Sequence, residues 1–310
     1  MKKIVMMNSD YHQTVLLHAA VDALDIKPNG VYVDLTFGGG GHTQLILEKL
    51  GDKGKLFAFD RDPDAKKNLP DDKRLTFVAQ DFRYMQNYLK LHGAKQVDGI
   101  LADLGVSSFQ FDTAERGFSI RFDGPLDMRM DKSSPLSAKE VVNDYDFDEL
   151  TRVFKLYGEL RSARKLASHL IKVRDDNAIM TTTQLIDELK GFFPERKQNK
   201  FMAMVFQALR IEVNGELESL TKMLEQAVEV LKPEGRLVVI SYHSLEDRLV
   251  KNMMKRGSID GEEEKDFFGK SLRPFDTINS KPIVPNEDEI QNNSRARSAK
   301  MRVAVRRKDD

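Results

Sequence analysis

Four consecutive glycines follow a short apolar run in VDLTFGGGGH, residues 33–42. The apolar run predicts a buried strand, and the glycines predict a tight turn that lets a ligand approach the backbone closely. A dinucleotide favours the spacing G-x-G-x-x-G, which Gly38 and Gly40 fit, but the third position here is Thr43. S-adenosylmethionine has no phosphates, and needs a loop that its methionine part can cross with an acidic residue such as Asp34 nearby.

Acidic residues end four successive apolar runs: Asp34, Asp60, Asp81 and Asp103. The carboxyl ends of parallel strands meet at one edge of a sheet, where ligands bind, so we expect these side chains to gather there. Asp60 follows the glycines at the distance where a carboxylate can accept both ribose hydroxyls, which fits either ligand. Phe82 could stack on an adenine ring. Any one of these acids could simply cap a strand in a loop, but four together favour a nucleoside ligand.

The fourth apolar run, ILAD, bears on the chemistry. Many methyltransferases of exocyclic amines carry a polar residue at this strand end, followed by two prolines and an aromatic residue. Here Asp103 is followed by Leu104, Gly105 and Val106, so the carboxylate is present and the rest of the motif is absent. These residues by themselves leave the reaction open.

Composition narrows the class of protein. The chain has 310 residues with 40% hydrophobic and 32% charged, which is ordinary for a globular protein. Lysine plus arginine and aspartate plus glutamate number 49 each, which argues against a wholly basic nucleic-acid protein and leaves room for a local basic patch. No cysteine is present, so a disulfide scaffold, a cysteine zinc site and a thiol nucleophile are excluded. No long apolar run or signal peptide is evident, and we expect a cytoplasmic protein without a membrane span.

Strand-like and helical segments alternate up to residue 108, which predicts an α/β fold with a Rossmann-like parallel sheet. From 109 to 212 only helical patterns occur. A long amphipathic helix then runs to Pro233 and Gly235, and RLVVIS restores the strand signal. We therefore expect one discontinuous domain, residues 1–108 and 213–310, with an all-helical insertion at 109–212. An acidic loop is expected at 260–270, and the basic tail contains an alternating segment typical of an edge strand.

Longer motifs carry a family resemblance. They include HQTVLL from His12, DLTFGGGGH, AFDRDP, DGILADLGVSSFQFD, GPLDMRMD, FQALRIEVNGEL, SYHSLEDR and RARSAKMR. With these motifs the chain closely resembles the ribosomal RNA small-subunit methyltransferase H family, also called MraW, over nearly its whole length. One segment departs from the family pattern: KFMAM, residues 200–204, stands where the family usually has a His-Pro-Ala-Lys/Thr-Arg run, and we assign no site to it.

The resemblance implies an enzyme that methylates N4 of a cytidine in the decoding region of 16S ribosomal RNA, with S-adenosylmethionine as the methyl donor. It implies a class I methyltransferase sheet whose helical insertion recognises RNA, and a partner in the small ribosomal subunit. It leaves open a monomer or a homodimer. The donor-site residues that it implies are Gly40, Gly41, His42, Asp60, Phe82, Asp103 and Gln110; the residue pattern alone adds Asp34 and Gly38.

Two residues are candidates for catalysis. Asp103 could accept the hydrogens of the target amine and take up the proton that is released, or it could bind the donor only. His243 could position the base or relay the proton, although a lone histidine is more often structural. Methylation at carbon 5 of cytosine typically uses a thiol adduct, which this chain without cysteine does not support. We expect no metal site.

Basic residues in the matched segments are candidates for RNA contact, because splayed RNA bases are held by arginines and aromatic side chains. They are Arg116, Arg129, Arg210, Arg295 and Arg297. By composition alone the tail would be a solubilising terminus, and the match of RARSAKMR favours RNA contact or closure of the sheet edge.

Three rival hypotheses remain. A methyltransferase of proteins or small molecules would act without ribosomal RNA. A non-catalytic RNA-binding factor with a relict donor pocket would bind RNA without turnover. A nicotinamide oxidoreductase is disfavoured by the missing third glycine.

Overall fold

The computed structural model describes residues 14–263 and 265–308, and within them a seven-stranded mixed sheet. Its strand order is β3-β2-β1-β4-β5-β7-β6, and the chain reverses direction across the sheet between β1 and β4. The strands are β1 (Val31–Asp34), β2 (Lys55–Phe59), β3 (Leu75–Val78), β4 (Val97–Asp103), β5 (Leu231–Ser241), β6 (Phe275–Thr277) and β7 (Lys300–Arg306). Strands β1 to β5 are parallel, whereas β7 is antiparallel to both β5 and β6. The predicted α/β fold class is confirmed.

Helices cover both faces of the sheet and form a separate cluster beside it. In the described residues the α-helices are α1 (Leu17–Ala23), α2 (Gly41–Lys49), α3 (Met85–Leu91), α4 (Ser108–Asp112), α5 (Ala138–Asp144), α6 (Phe147–Leu156), α7 (Ala163–Arg174), α8 (Thr182–Leu189), α9 (Gln198–Asn214), α10 (Glu216–Val230), α11 (Ser244–Arg256) and α12 (Glu287–Asn292). Short 3-10 turns lie at Pro63–Asn68, Phe82–Tyr84, Ala114–Arg116, Lys190–Phe192, Glu195–Lys197 and Ser294–Ser298. No helix in these ranges is both long and apolar enough to cross a membrane.

Side chains alternate between the two faces of the sheet along each strand, and each face has its own apolar core. Successive side chains of a strand point to opposite faces, so neighbouring residues such as Tyr32 and Val33 enter different cores. Tyr32 packs with α1 and α2, whereas Val33 packs with α3, α10 and α11. Because both faces are covered, the strands read as nearly continuous apolar runs, which is the signal that predicted them.

The helical segment between β4 and β5 has its own core. Its buried residues run from Phe118 to Val213, and they include Phe154, Leu166 and Leu185 at full burial. This core supports the proposal that the insertion is a domain. The expected boundaries at 108/109 and 212/213 each fall inside a helix, α4 and α9, because helices continue from one part into the other.

Two sequence expectations about the sheet were wrong in detail. The helix α10 ends at Val230, not at Pro233, because a residue before proline is disfavoured in helical conformation. The segment up to Gly235 instead opens β5, and the register with β4 shifts there. The alternating tail forms β7, but β7 is not an edge strand: it lies between β5 and the three-residue β6, which no pattern in the sequence predicted.

Candidate active site

The carboxyl ends of β1, β2 and β4 open into a cavity of about 910 Å³. That volume lies at the upper end of roughly 300–1,000 Å³ for small-molecule sites. The cavity is lined from the sheet by the glycine turn, Asp60 and Asp103, from the insertion by Phe109 and Arg210, and from the tail by Asn293, Arg295 and Ser298. A doubly wound sheet binds its ligand where the strand order reverses, and this cavity lies there.

The glycine turn joins β1 to α2 through residues with positive φ. Gly38 has φ 49° and Gly40 has φ 81°, a backbone region that costs other residues strain. A Cβ on Gly40 would lie 3.1 Å from the Phe37 ring, and a Cβ on Gly41 would lie 2.0 Å from Thr14 Oγ1. The turn is therefore built from glycines for both conformation and space. Gly38, Gly39 and Gly41 line the cavity, whereas Gly40 does not, so the structure does not support the predicted direct contact of Gly40 with the donor.

Asp34 acts on this turn from behind. Its Oδ2 accepts from the Thr43 hydroxyl at 2.7 Å and its Oδ1 from the Thr36 backbone at 3.1 Å. The side chain is fully buried and does not line the cavity, and burial raises its pKa to about 6. The structure does not support the predicted contact of Asp34 with the donor, because its oxygens face the loop and the start of α2.

Asp60 lines the cavity at the end of β2. Its Oδ2 accepts from the Gly38 backbone at 2.8 Å and its Oδ1 from the Asp62 backbone at 2.8 Å. Burial raises the pKa of Asp60 to about 6. The carboxylate thus fixes the glycine turn, and each of its oxygens has a further lone pair for a ligand hydroxyl.

His42 begins α2 and also lines the cavity. Burial lowers its pKa to about 4, so the ring is neutral near pH 7. Its Nε2 is buried and has no hydrogen-bond partner within the described residues. A buried polar atom without a partner is costly, and a ligand in the cavity would remove that cost.

The adenine side predicted from Asp81 and Phe82 is only partly as expected. Phe82 lines the cavity beside Gln80. Asp81 lines the cavity too, but its Oδ2 already lies 2.9 Å from Arg61 and 3.0 Å from the Ser219 hydroxyl. Its carboxylate therefore stabilises the cavity wall.

Asp62 lines the cavity and is the centre of a buried polar cluster that the sequence reasoning missed. Asp62 Oδ2 accepts from Gln110 Nε2 at 2.7 Å and lies 2.8 Å from Arg116 Nη1. Gln110 also accepts from the Ser107 backbone in the capping box of α4. Gln110 lines the cavity, as predicted for a donor-site residue. Both polar atoms of its amide are already bonded within the protein, and they join the loop after β4 to Asp62 in the loop after β2.

Asp103 ends β4 and lines the cavity, and its side chain is partly buried. Burial raises its pKa to about 7, and the hydrogen bond from Tyr242 opposes that rise. The Tyr242 hydroxyl donates to Asp103 Oδ1 at 2.7 Å. Tyr242 was not predicted from the sequence, although it lies in the matched motif SYHSLEDR.

His243 does not line the cavity, which does not support its predicted catalytic role. It is the N-cap of α11, and its Nδ1 accepts from the Glu246 backbone at 3.4 Å. Its Nε2 lies 3.2 Å from Glu246 Oε1 but off the direction of a hydrogen bond. Glu216, His243 and Glu246 offer atoms within 4.8 Å of one another, as a metal site would, but both Glu216 oxygens accept from Arg210. The positive charge of Arg210 therefore compensates the negative charge of this cluster.

The predicted RNA-contacting arginines fall into two groups. Arg116 is buried against Asp62, Arg210 is clamped by Glu216, and Arg129 donates to both oxygens of Asp127 at 3.0 and 2.7 Å. All three guanidinium groups are engaged by carboxylates of the protein, which does not support a direct RNA contact by Arg116; Arg210 still lines the cavity, and Arg129 is about a quarter exposed. Arg295 lies at the cavity, over the Phe111 ring and paired with Asp112, and Arg297 is exposed on the same turn.

The doubly wound sheet, the glycine turn and the acidic strand ends define an S-adenosylmethionine-dependent methyltransferase. The cavity fits this donor, because the turn leaves open backbone, Asp60 offers acceptors and His42 offers an unpaired ring nitrogen. The chain belongs to the MraW methylase family, whose model matches residues 9–307.

Two relatives of high sequence identity agree with this membership. The chain is 54% identical over 297 residues to ribosomal RNA small subunit methyltransferase H of Bacteroides thetaiotaomicron, covering 96% of this chain and 98% of the relative. It is 55% identical over 295 residues to the protein of the same name from Flavobacterium johnsoniae, covering 95% and 97%. Among solved structures, an rRNA methylase from Streptococcus thermophilus covers 96% of this chain and 100% of its own, at 10% identity and a TM-score of 0.44.

Proposed function

We propose that this protein transfers a methyl group from S-adenosylmethionine to the exocyclic N4 amine of a cytidine in the decoding region of 16S ribosomal RNA. Relatives that are 54–55% identical over nearly full length are named ribosomal RNA small subunit methyltransferase H, which supports the RNA substrate. The observation that carries the choice of an amine is the carboxylate of Asp103, which lines the cavity without an ion-pair partner among the described residues.

Transfer forms one N–C bond and breaks the S–CH3 bond, whose electron pair stays on sulfur, while the amine gives up one proton. The donor supplies the electrophilic methyl group. Gly38, Gly41, His42, Asp60 and Phe82 would hold it, because all five line the cavity.

The acceptor amine of cytosine is a weak nucleophile, since its lone pair is delocalised into the ring. Holding the amine in line with the methyl group is therefore a large part of the catalysis. An ionised Asp103 would accept a hydrogen bond from the amine, favour localisation of the lone pair and receive the released proton. Its pKa of about 7 suits that task near neutral pH.

RNA recognition is assigned to the mouth of the cavity. Arg295 and Arg297 lie on the tail turn, and Phe109 is half-exposed on α4 with Lys67 Nζ 5.9 Å from its ring centroid. Aromatic faces and arginines hold unstacked RNA bases, and the target base must leave its stack to enter. The helical insertion would extend this surface.

The test is methyl transfer from labelled S-adenosylmethionine to small ribosomal subunits from a strain that lacks the enzyme. The RNA is digested and its nucleosides are identified by mass spectrometry, with naked 16S RNA in parallel. We expect label in N4-methylcytidine within a decoding-region fragment. Label in another nucleoside, or in protein, would contradict the proposal while leaving the donor site in place.

A further inference from the structure

Tyr242 and Asp103 are joined across the ends of neighbouring strands. Asp103 pairs in register with Ile240 of β5, and Tyr242 follows two residues later. The phenol oxygen lies 2.7 Å from Asp103 Oδ1. Within the described residues, Asp103 Oδ2 receives no hydrogen bond, although Asp103 lines the cavity.

The position of Tyr242 is fixed from several sides. Its backbone N–H donates to Glu246 Oε2 at 2.8 Å, within the capping box of α11. On the ring side, a Cβ on Gly105 would lie 3.6 Å from Tyr242 Cδ2, and Gly105 has φ 99°. The strand end and the helix cap thus fix the backbone of Tyr242, and the bond to Asp103 holds its hydroxyl.

We infer that Tyr242 is a positioning residue for the reaction: its hydroxyl occupies Oδ1 of Asp103 and reserves Oδ2 for the exocyclic amine of the substrate. This inference rests on the proposed function, in which Asp103 meets the amine. Two other carboxylates of the site have a cation, Arg61 beside Asp81 and Arg116 beside Asp62, whereas Asp34 and Asp60 are held by neutral donors. Asp103 has a neutral phenol, which orients the carboxylate without cancelling its charge.

The hydroxyl also sets the pH at which Asp103 becomes ionised. Burial raises the pKa of Asp103 to about 7, and the nearby Asp34 and Glu246 add to the rise, whereas the Tyr242 bond lowers the pKa. Burial and the same carboxylate raise the pKa of Tyr242 well above its ordinary value, so the phenol remains a donor at working pH. Glu246 itself faces His243 and Arg210, which lower its pKa.

The experiment compares wild type with Tyr242→Phe, which removes only the oxygen. Tyr84→Phe, a change at an exposed tyrosine outside the cavity, is the matched control. Single-turnover methyl transfer to small subunits is measured from pH 5.5 to 9.5, with donor affinity by calorimetry and folding by thermal melting. A hydrogen bond to a charged group is worth about one pH unit or more, so the acidic limb of the Tyr242→Phe profile should move up by about that amount.

The expected result is a roughly ten-fold loss at pH 6.5 that largely recovers at pH 9, with donor affinity unchanged. The melting temperature of Tyr242→Phe should fall modestly and mainly above pH 7, where the ionised Asp103 has lost its hydrogen bond. Tyr84→Phe should match wild type throughout. A Tyr242→Phe profile that overlays wild type, or one that is lowered equally at every pH, would overturn the inference.

A substrate-free measurement separates this inference from the proposed function. The Asp103 carboxyl carbon is titrated by 13C NMR in wild type and in Tyr242→Phe, and its resonance is assigned by its loss in Asp103→Asn. A higher midpoint in Tyr242→Phe supports the positioning role even if wild type fails to make N4-methylcytidine. An unchanged midpoint contradicts it whatever the substrate.

Discussion

Asp62 Oδ2 lies 2.8 Å from Arg116 Nη1, and this buried ion pair joins the loop after β2 to the first turn of the helical insertion. Arg116 also donates to the backbone oxygens of Arg129 and Met130 at 2.9 and 3.1 Å. Since Asp62 holds Gln110 at the cavity floor, the pair connects the donor side of the site to the segment that we assign to RNA recognition.

Arg116→Ala should therefore destabilise the protein strongly. Removing one partner of a buried pair leaves an uncompensated charge and typically costs about 3–5 kcal/mol. Lys132→Ala is the matched control, because Lys132 pairs with Asp64 at a half-exposed position and should cost about 1 kcal/mol or less. Urea unfolding measures both. Equal stability of the two variants would show that the Arg116 pair does not hold the insertion.

Asp103→Asn should abolish most turnover while keeping donor binding. The amide keeps the shape and can still accept from Tyr242, but it cannot take up a proton, so a loss of about 10²–10⁴-fold is expected for a group in acid–base catalysis. Single-turnover methyl transfer and calorimetric binding of S-adenosylmethionine are the two measurements. Near-normal turnover of Asp103→Asn would show that Asp103 takes no part in the reaction. If turnover and donor binding were lost together, Asp103 would be assigned to donor binding instead.

The same variant should stabilise the fold at alkaline pH. The pKa of Asp103 is about 7 in the folded protein against an ordinary 3.8, so the folded state binds this proton more tightly than the unfolded state. Its contribution to stability is fully present below pH ~3.8 and is lost as pH rises through about 7. Asp103→Asn carries no charge, so its melting temperature should exceed that of wild type at pH 8 by at least about 2 °C. The gap should narrow as the pH falls and close only near pH ~4 or below, where the unfolded state is protonated too; a gap that is constant with pH would contradict the buried charge as its cause.

Gly40→Ala should weaken donor binding as well as stability. A non-glycine residue in the left-handed region costs about 1–2 kcal/mol, and the new Cβ would press on the Phe37 ring at 3.1 Å. Gly93→Ala is the control, because Gly93 has φ 74° with nothing within 4 Å of its Cβ. Both variants should lose stability in thermal melts, but only Gly40→Ala should lose affinity for S-adenosylmethionine, by about five-fold or more. Equal donor affinity of Gly40→Ala and Gly93→Ala would mean that the glycine turn tolerates a side chain at residue 40.

Arg297→Ala should weaken RNA binding without affecting the donor. Arg297 is exposed on the turn whose neighbours Arg295 and Ser298 line the cavity. If Arg297 contacts a phosphate, the Arg297→Ala change should lower the magnitude of the slope of log RNA affinity against log salt concentration by about one. Lys308→Ala, at the opposite end of the sheet near Glu234, serves as the control and should leave both slope and affinity unchanged. Filter binding of a decoding-region RNA at several salt concentrations gives both quantities. A wild-type slope for Arg297→Ala would exclude the contact.

The sequence by itself determined the fold class and predicted the edge of the sheet at which the cavity lies. Apolar runs buried on both faces read directly as parallel strands, and glycines with positive φ leave a local signature in VDLTFGGGGH. Strand ends in a parallel sheet share one edge, so the order of the apolar runs was enough to place the acids that follow β2 and β4 together. The family motifs added Gln110 and Arg295, which do line the cavity.

Only the tertiary structure decided which of those groups face a ligand and which face the protein. Asp34 and Asp60 both follow strands, yet Asp34 turns to Thr43 behind the loop and Asp60 reaches the cavity. Arg116 and Arg297 are equally basic in sequence, but burial gives the first an internal partner and leaves the second exposed. Tyr242 reaches Asp103 over 139 positions of chain. Burial and long-range pairing depend on how distant segments pack, which local periodicity and spacing do not encode.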